Sequence, residues 1–134
     1  MKEMIYQGKN IEWGEVLDEG SYKGLDYAIV SKGLFPCAYV ECPYGIAGPE
    51  DKRLKTIKVH GGFNFYGKGY WDLIFTFGRR YLGWDYAHMD LGDYTYWAEK
   101  YEKDCPPKDT LKKWTTKEIL AEVKDVIDQL TIRV

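Results

Sequence analysis

The sequence predicts an α+β domain, a mainly antiparallel β-sheet covered by a C-terminal amphipathic α-helix. Three observations predict it. Ile119, Leu120, Val123, Val126, Ile127 and Leu130 recur at the spacing of one helical face. Upstream, short runs of β-branched and aromatic residues are broken by glycine, proline and polar residues. These runs follow one another without the strand–helix alternation that a parallel sheet requires. With 134 residues, 45% of them hydrophobic, the chain can bury roughly two-thirds of its unfolded surface in one core, so residues 1–134 are expected to form a single domain.

The first 25 residues carry Gly8, Gly14, Gly20 and Gly24 among polar neighbours and read as loops with a short element or two. From Leu25 to Cys42, Tyr27, Ile29, Val30, Tyr39 and Val40 flank Gly33 and Pro36, the pattern of two strands joined by a turn. Residues 43–54 hold Pro43, Gly45, Gly48 and Pro49 and form a long loop of the length that often carries function. Lys55 to His60 alternates strictly, which predicts a strand with Ile57 and Val59 facing the core and Lys58 and His60 facing away. Phe63 to Tyr66 resumes the alternation, and Gly67-Lys68-Gly69 is expected to turn the chain into an apolar strand over Tyr70 to Phe77. Tyr81 to Tyr86 is another strand, and Tyr94, Trp97 and Tyr101 suggest a short helix stopped by Pro106-Pro107. Thr115 with Glu118 makes a capping box for the last helix, and Trp114 before it can staple onto Ile119.

Charge narrows the function. Nineteen Lys+Arg against 21 Asp+Glu give a formal charge of -2, which removes the broad basic surface that duplex nucleic-acid binding draws on. No run approaches the ~20 apolar residues of a membrane span, and the start lacks a signal core, so a soluble, cytoplasmic protein is expected. Cys37, Cys42 and Cys105 contain no C-x-x-C pair and encode neither a disulfide framework nor a thiolate zinc site.

The two histidines, His60 and His88, stand in the segments richest in chemistry, His60-Gly61-Gly62 and Asp85-Tyr86-Ala87-His88-Met89-Asp90-Leu91-Gly92-Asp93. Carboxylates this close to an imidazole can fix its tautomer or help to hold a cation. In the plainer reading, Asp85 and Asp93 cap turns and His88 is a half-buried structural residue. Gly67-Lys68-Gly69 could offer amides and an ammonium to a phosphate, with a plain hairpin turn as the simpler alternative. Tyr66, Tyr70, Tyr81 and Tyr86 fall on predicted outward faces where a base or sugar could stack, although core packing accounts for most rings. Arg79 and Arg80, together with Lys52, Arg53, Lys55 and Lys58, could add a local phosphate site.

The motifs His60-Gly61-Gly62-Phe63-Asn64-Phe65-Tyr66 and Gly83-Trp84-Asp85-Tyr86-Ala87-His88, followed by Gly92-Asp93, resemble a family of small uncharacterised phage and prophage proteins. The resemblance covers roughly residues 25–95. Its spacer after His88 is longer than the family pattern, leaving Asp90 and Asp93 as alternatives for the acidic position. The resemblance implies a phage or prophage setting, in the host cytoplasm, where accessory proteins often act on host defence and some sequester cyclic nucleotide signals.

The expectation is therefore a protein that binds a small, nucleotide-like ligand without turnover through His60, Asn64, Tyr66, Trp84, Asp85, His88, Asp93, Lys68, Arg79 and Arg80, with no cofactor. A small hydrolase is the alternative, using Asp85 and His88 as catalytic groups or Asp85, His88 and Asp90 around a metal. A protein-binding inhibitor of a host factor is the third. Neither duplex nucleic acid nor a membrane is an expected partner, and a homo-oligomer is left open.

Overall fold

Alternation of side chains along the strands sets the architecture. The computed structural model describes residues 4–6, 9–11, 15–31, 35–68, 79–94 and 111–133. Among them the strands are β1 (Met4–Tyr6), β2 (Lys9–Ile11), β3 (Glu15–Tyr22), β4 (Leu25–Ser31), β5 (Pro36–Glu41), β6 (Phe65–Lys68) and β7 (Arg80–Asp85), and one α-helix, α1, spans Thr116–Arg133. The sheet order is β2-β1-β3-β4-β5-β7-β6. From β3 to β6 every neighbouring pair is antiparallel, and the β1–β3 pairing is parallel. The predicted α+β class, a largely antiparallel sheet under a C-terminal helix, is the observed one.

The two-residue period divides the core. Ile29 of β4, Ala38 and Val40 of β5, and Leu82 and Trp84 of β7 point to one face, where they meet Ile119, Val123, Val126, Ile127 and Leu130 of α1. Ala28, Val30, Cys37, Tyr39 and Tyr81 occupy the other face. Gly83 keeps the second face closed, because a Cβ there would stand 2.7 Å from the Tyr39 ring. Tyr39 also meets Phe65 edge to face at 5.3 Å.

Three expectations are corrected. The glycine-rich start contains the eight-residue strand β3. Gly24 belongs to its hairpin turn, where Lys23 (φ 49°) and Gly24 (φ 81°) both take the left-handed conformation that suits a tight connection between twisted strands. That turn is fastened to α1 by Lys23 Nζ, 2.5 Å from Asp128, and by the Tyr22 hydroxyl donating to Asp128 at 3.1 Å. Lys55 to His60 is not a strand. A 3-10 turn over Lys52–Thr56 takes its first residues, and the Gln129 side chain then pairs with both polar groups of the Lys58 backbone at 2.7 and 2.8 Å. The segment thus runs along α1 instead of joining the sheet. Gly67 and Lys68 continue β6 rather than turning. The predicted strand over Tyr70 to Phe77, the short helix from Tyr94 to Tyr101, and Gly69 and Cys105 lie outside the described residues, Tyr94 itself excepted.

The capping box forms as predicted. Glu118 accepts from the Thr115 N–H and hydroxyl at 3.1 Å each, and the Glu118 N–H returns to the Thr115 hydroxyl at 3.2 Å. Lys112, 2.7 Å away, and then Thr115 hold the Glu118 carboxyl below its ordinary value of 4.5, at about 2. Because the folded value is the lower one, this contribution is fully present above the ordinary carboxylate range and fades as pH falls through it towards 2. Glu118→Gln is expected to flatten the acid limb of a urea-midpoint profile in that window. Equal slopes in variant and parent would contradict the assignment.

Candidate functional site

Two turns bring the histidines together. After Val59 the chain reverses through Gly61 (φ 71°) and Gly62 (φ 79°), closed by the Gly62 N–H to Val59 carbonyl bond of 3.0 Å. The Asn64 N–H then reaches the Gly83 carbonyl at 2.9 Å and starts the β6–β7 pairing. After β7, Asp85 accepts from the Ala87 N–H at 3.1 Å, so it does cap a turn, as the plainer reading held. The loop from His88 to Asp93 is closed reciprocally. The Asp93 N–H donates to the His88 carbonyl at 3.1 Å, and the His88 N–H donates to Asp93 Oδ2 at 2.9 Å.

Asp93 is the hub. It is fully buried, and besides the His88 N–H it faces His60 Nε2 at 2.7 Å and accepts from Trp114 Nε1 at 2.8 Å. A carboxylate oxygen accepts, so the contact pairs it with a donating His60 Nε2–H. Of the two acidic alternatives, Asp93 is the one built into the cluster; Asp90 is exposed on a short 3-10 turn.

His60 was expected outside the core and is instead packed. Its side chain is 12% exposed, stacked on Tyr86 at 4.7 Å and edge-on to Trp114 at 5.0 Å. Its N–H is taken by Glu122 of α1 at 3.1 Å, which explains why it lies on the helix side of the sheet. Glu122 also accepts from the Tyr86 hydroxyl, which in turn accepts from Trp84 Nε1 at 3.0 Å. Burial, then the bond to Glu122, pushes the Tyr86 phenol far above its usual value and keeps it a donor.

His88 stands more open, 27% exposed, with its ring 5.8 Å from that of His60. Its Nε2 is 3.2 Å from Asp85 Oδ1, a pairing distance without hydrogen-bond alignment, and the atom is covered by protein. Asp85 is held from its other side by the exposed Asn64 amide. Gly61 packs directly on His88, since a Cβ at Gly61 would lie 2.2 Å from Nε2, whereas one at Gly62 would meet open space. Gly61→Ala is therefore expected to cost about 1–3 kcal/mol and to displace the His88 ring, with Gly62→Ala losing only the backbone part. Urea unfolding with imidazole NMR shifts checks this; equal effects at the two glycines would contradict the contact.

The structure gathers His60, Asn64, Asp85, His88 and Asp93, places Tyr66 with Asn64 in the wall of one cleft, and separates Trp84, Lys68, Arg79 and Arg80 from them. Trp84 is 1% exposed and belongs to the core, as do Tyr81 and Tyr86, which the alternation pattern had placed outward. Lys68 pairs with Arg80 in the β6–β7 register, whereas Phe65, next to Asn64, pairs with Gly83, so Lys68, Arg79 and Arg80 mark the opposite end of the strand pair. Arg79 is engaged by Glu41 at 2.9 Å, and Arg53 by Asp51 at 2.6 Å. Sequence reasoning missed the supporting roles of Tyr86 and Glu122 and saw Trp114 as a staple alone. Glu122 had a signal, a carboxylate between Ile119 and Val123 beside the apolar stripe.

Beside the cluster lies a cleft of about 500 Å³ lined by Leu54, Ile57, Phe63, Phe65, Tyr66 and Leu82, with Lys55 and Asn64 as polar groups. Asn64 is the residue that belongs to both cleft and cluster. Among the described residues, no group of three His, Cys, Asp or Glu is placed to hold a metal ion, and the Asp85, His88, Asp90 set does not assemble. No described helix is long and apolar enough to cross a membrane. Comparison with protein-family models, with curated proteins and with solved structures found no significant match.

Proposed function

We propose that the protein binds a small ligand with a flat ring and a polar edge, of nucleotide-like chemistry, and does not turn it over. The observation that carries this reading is the position of Asn64, in the wall of a largely apolar cleft and on the carboxylate of the Asp85–His88 pair. A cleft of about 500 Å³ falls within the usual size of small-molecule sites, which combine apolar walls with a few fixed polar groups. The ring lies between Phe63 and Tyr66, and its polar edge meets Asn64 and, through it, Asp85 and His88. His60 and Asp93 position this edge from behind. The setting is the phage or prophage one that the motifs resemble, with capture of a host defence signal as the role.

Isothermal titration with purine and pyrimidine nucleosides tests the reading. Asn64→Ala should weaken the bound nucleoside by about tenfold, the worth of one good hydrogen bond. As an exposed residue, its loss should leave stability within about 0.5 kcal/mol. Unchanged affinity, or no binding by any nucleoside, would contradict it. One observation favours a second reading: His88 beside Asp85 is a carboxylate-paired imidazole with part of its ring open to solvent, the arrangement of a general base in a small hydrolase. Product formation abolished by His88→Ala would select it.

A further inference from the structure

A second groove adjoins the cleft, about 510 Å³ in volume, and Tyr66 is the wall common to both. Cys42, Tyr44, Ile46, Arg79 and Arg80 also line it. The two grooves are successive rungs of one sheet face. Val40, Leu82 and Tyr66 stand side by side across β5, β7 and β6. Two residues further along, roughly 7 Å by strand geometry, the Cys42 N–H meets the Arg80 carbonyl and Arg80 is paired in register with Lys68.

The charge at this rung is unbalanced. Glu41 answers Arg79, but among the described residues no carboxylate is paired with Arg80, whose side chain is exposed in the groove. Arg79 and Arg80 line the groove together with Glu41, so with Glu41 on Arg79 an anion beside Arg80 meets a positive charge that no described carboxylate answers. Arginine suits the task, because its planar fork matches the oxygens of a phosphate. Tyr44 stands fully exposed at the mouth of the groove.

Resting on the ligand-binding reading above, we propose that the groove at Arg80 is the anion subsite of the same ligand, so that the ligand class is a nucleoside phosphate lying astride Tyr66, ring in the cleft and phosphate at Arg80.

The test is a ¹⁵N NMR titration of the full chain with adenosine, adenosine monophosphate and inorganic phosphate, repeated with guanosine and cytidine counterparts. A nucleoside should shift the amides of Gly62 to Tyr66 alone. Its monophosphate should shift these together with Arg80 and Cys42, and should bind about tenfold more tightly, a difference that salt reduces and Arg80→Gln abolishes while leaving nucleoside affinity unchanged. Cleft shifts without groove shifts, or a phosphate advantage that survives Arg80→Gln, would overturn the subsite and leave the cleft reading standing. Groove shifts with inorganic phosphate and none in the cleft with any nucleoside would overturn the cleft reading and the single spanning ligand. No shift with any probe would overturn both.

Discussion

Asp93→Ala is expected to destabilise the protein by about 3–5 kcal/mol, the largest loss for any polar residue described. The carboxylate is fully buried and satisfies His60 Nε2–H, the His88 N–H and Trp114 Nε1–H together. Alanine leaves those donors without an acceptor inside protein, where each unsatisfied group costs about 1–3 kcal/mol before relaxation. Asp93→Asn should cost less, because its amide oxygen replaces one acceptor while its NH2 faces a donor. Urea unfolding reads both, and an alanine variant within about 1 kcal/mol of the parent would show that the hub does not hold the two turns. His60→Ala should follow the same pattern more weakly, because His60 is packed against both Tyr86 and Trp114 rather than standing outside the core.

Ile127→Ala is expected to cost about 2–5 kcal/mol, with Val123→Ala losing less because fewer atoms are removed. Both side chains are fully buried where α1 lies on the sheet, against the face carrying Ile29, Val40, Leu82 and Trp84. The truncation forfeits both transfer energy and the contacts of the cavity it leaves. Lys124→Ala on the exposed side of the same helix should stay within about 0.5 kcal/mol, which separates packing from helix propensity. Thermal and urea unfolding of the three variants would contradict this picture if the buried and exposed substitutions cost the same.

What was legible in the sequence is what local periodicity encodes. The face of α1, its Thr115–Glu118 box and the strands β4, β5 and β7 follow from side-chain spacing and form as expected. The segment Lys55 to His60 alternates as a strand would, but its backbone partner is the Gln129 side chain, which no local pattern announces. Gly20 and Gly24 suggested loops in a segment that is strand and hairpin, because a glycine at a left-handed turn and one inside a strand read alike. Within the site, the meeting of His60 and His88 arises from two turns converging on Asp93, with Trp114 supplied by a segment paired at Asp93 and Lys112. Tyr86 looked outward by alternation, yet β7 ends at Asp85, so the period no longer applies one residue later. Arg80 and Lys68 were grouped with the histidines by charge alone, and the β6–β7 register places them at the far end of the strands.

Native mass spectrometry of the purified chain, incubated with a panel of nucleosides and nucleoside monophosphates, tests the central claim most directly. Small-ligand capture at the Asn64 cleft predicts a complex of one chain with one ligand of unaltered mass, weakened by Asn64→Ala. The bare chain alone in every incubation, or a bound ligand whose mass has changed to that of a hydrolysis product, would contradict it.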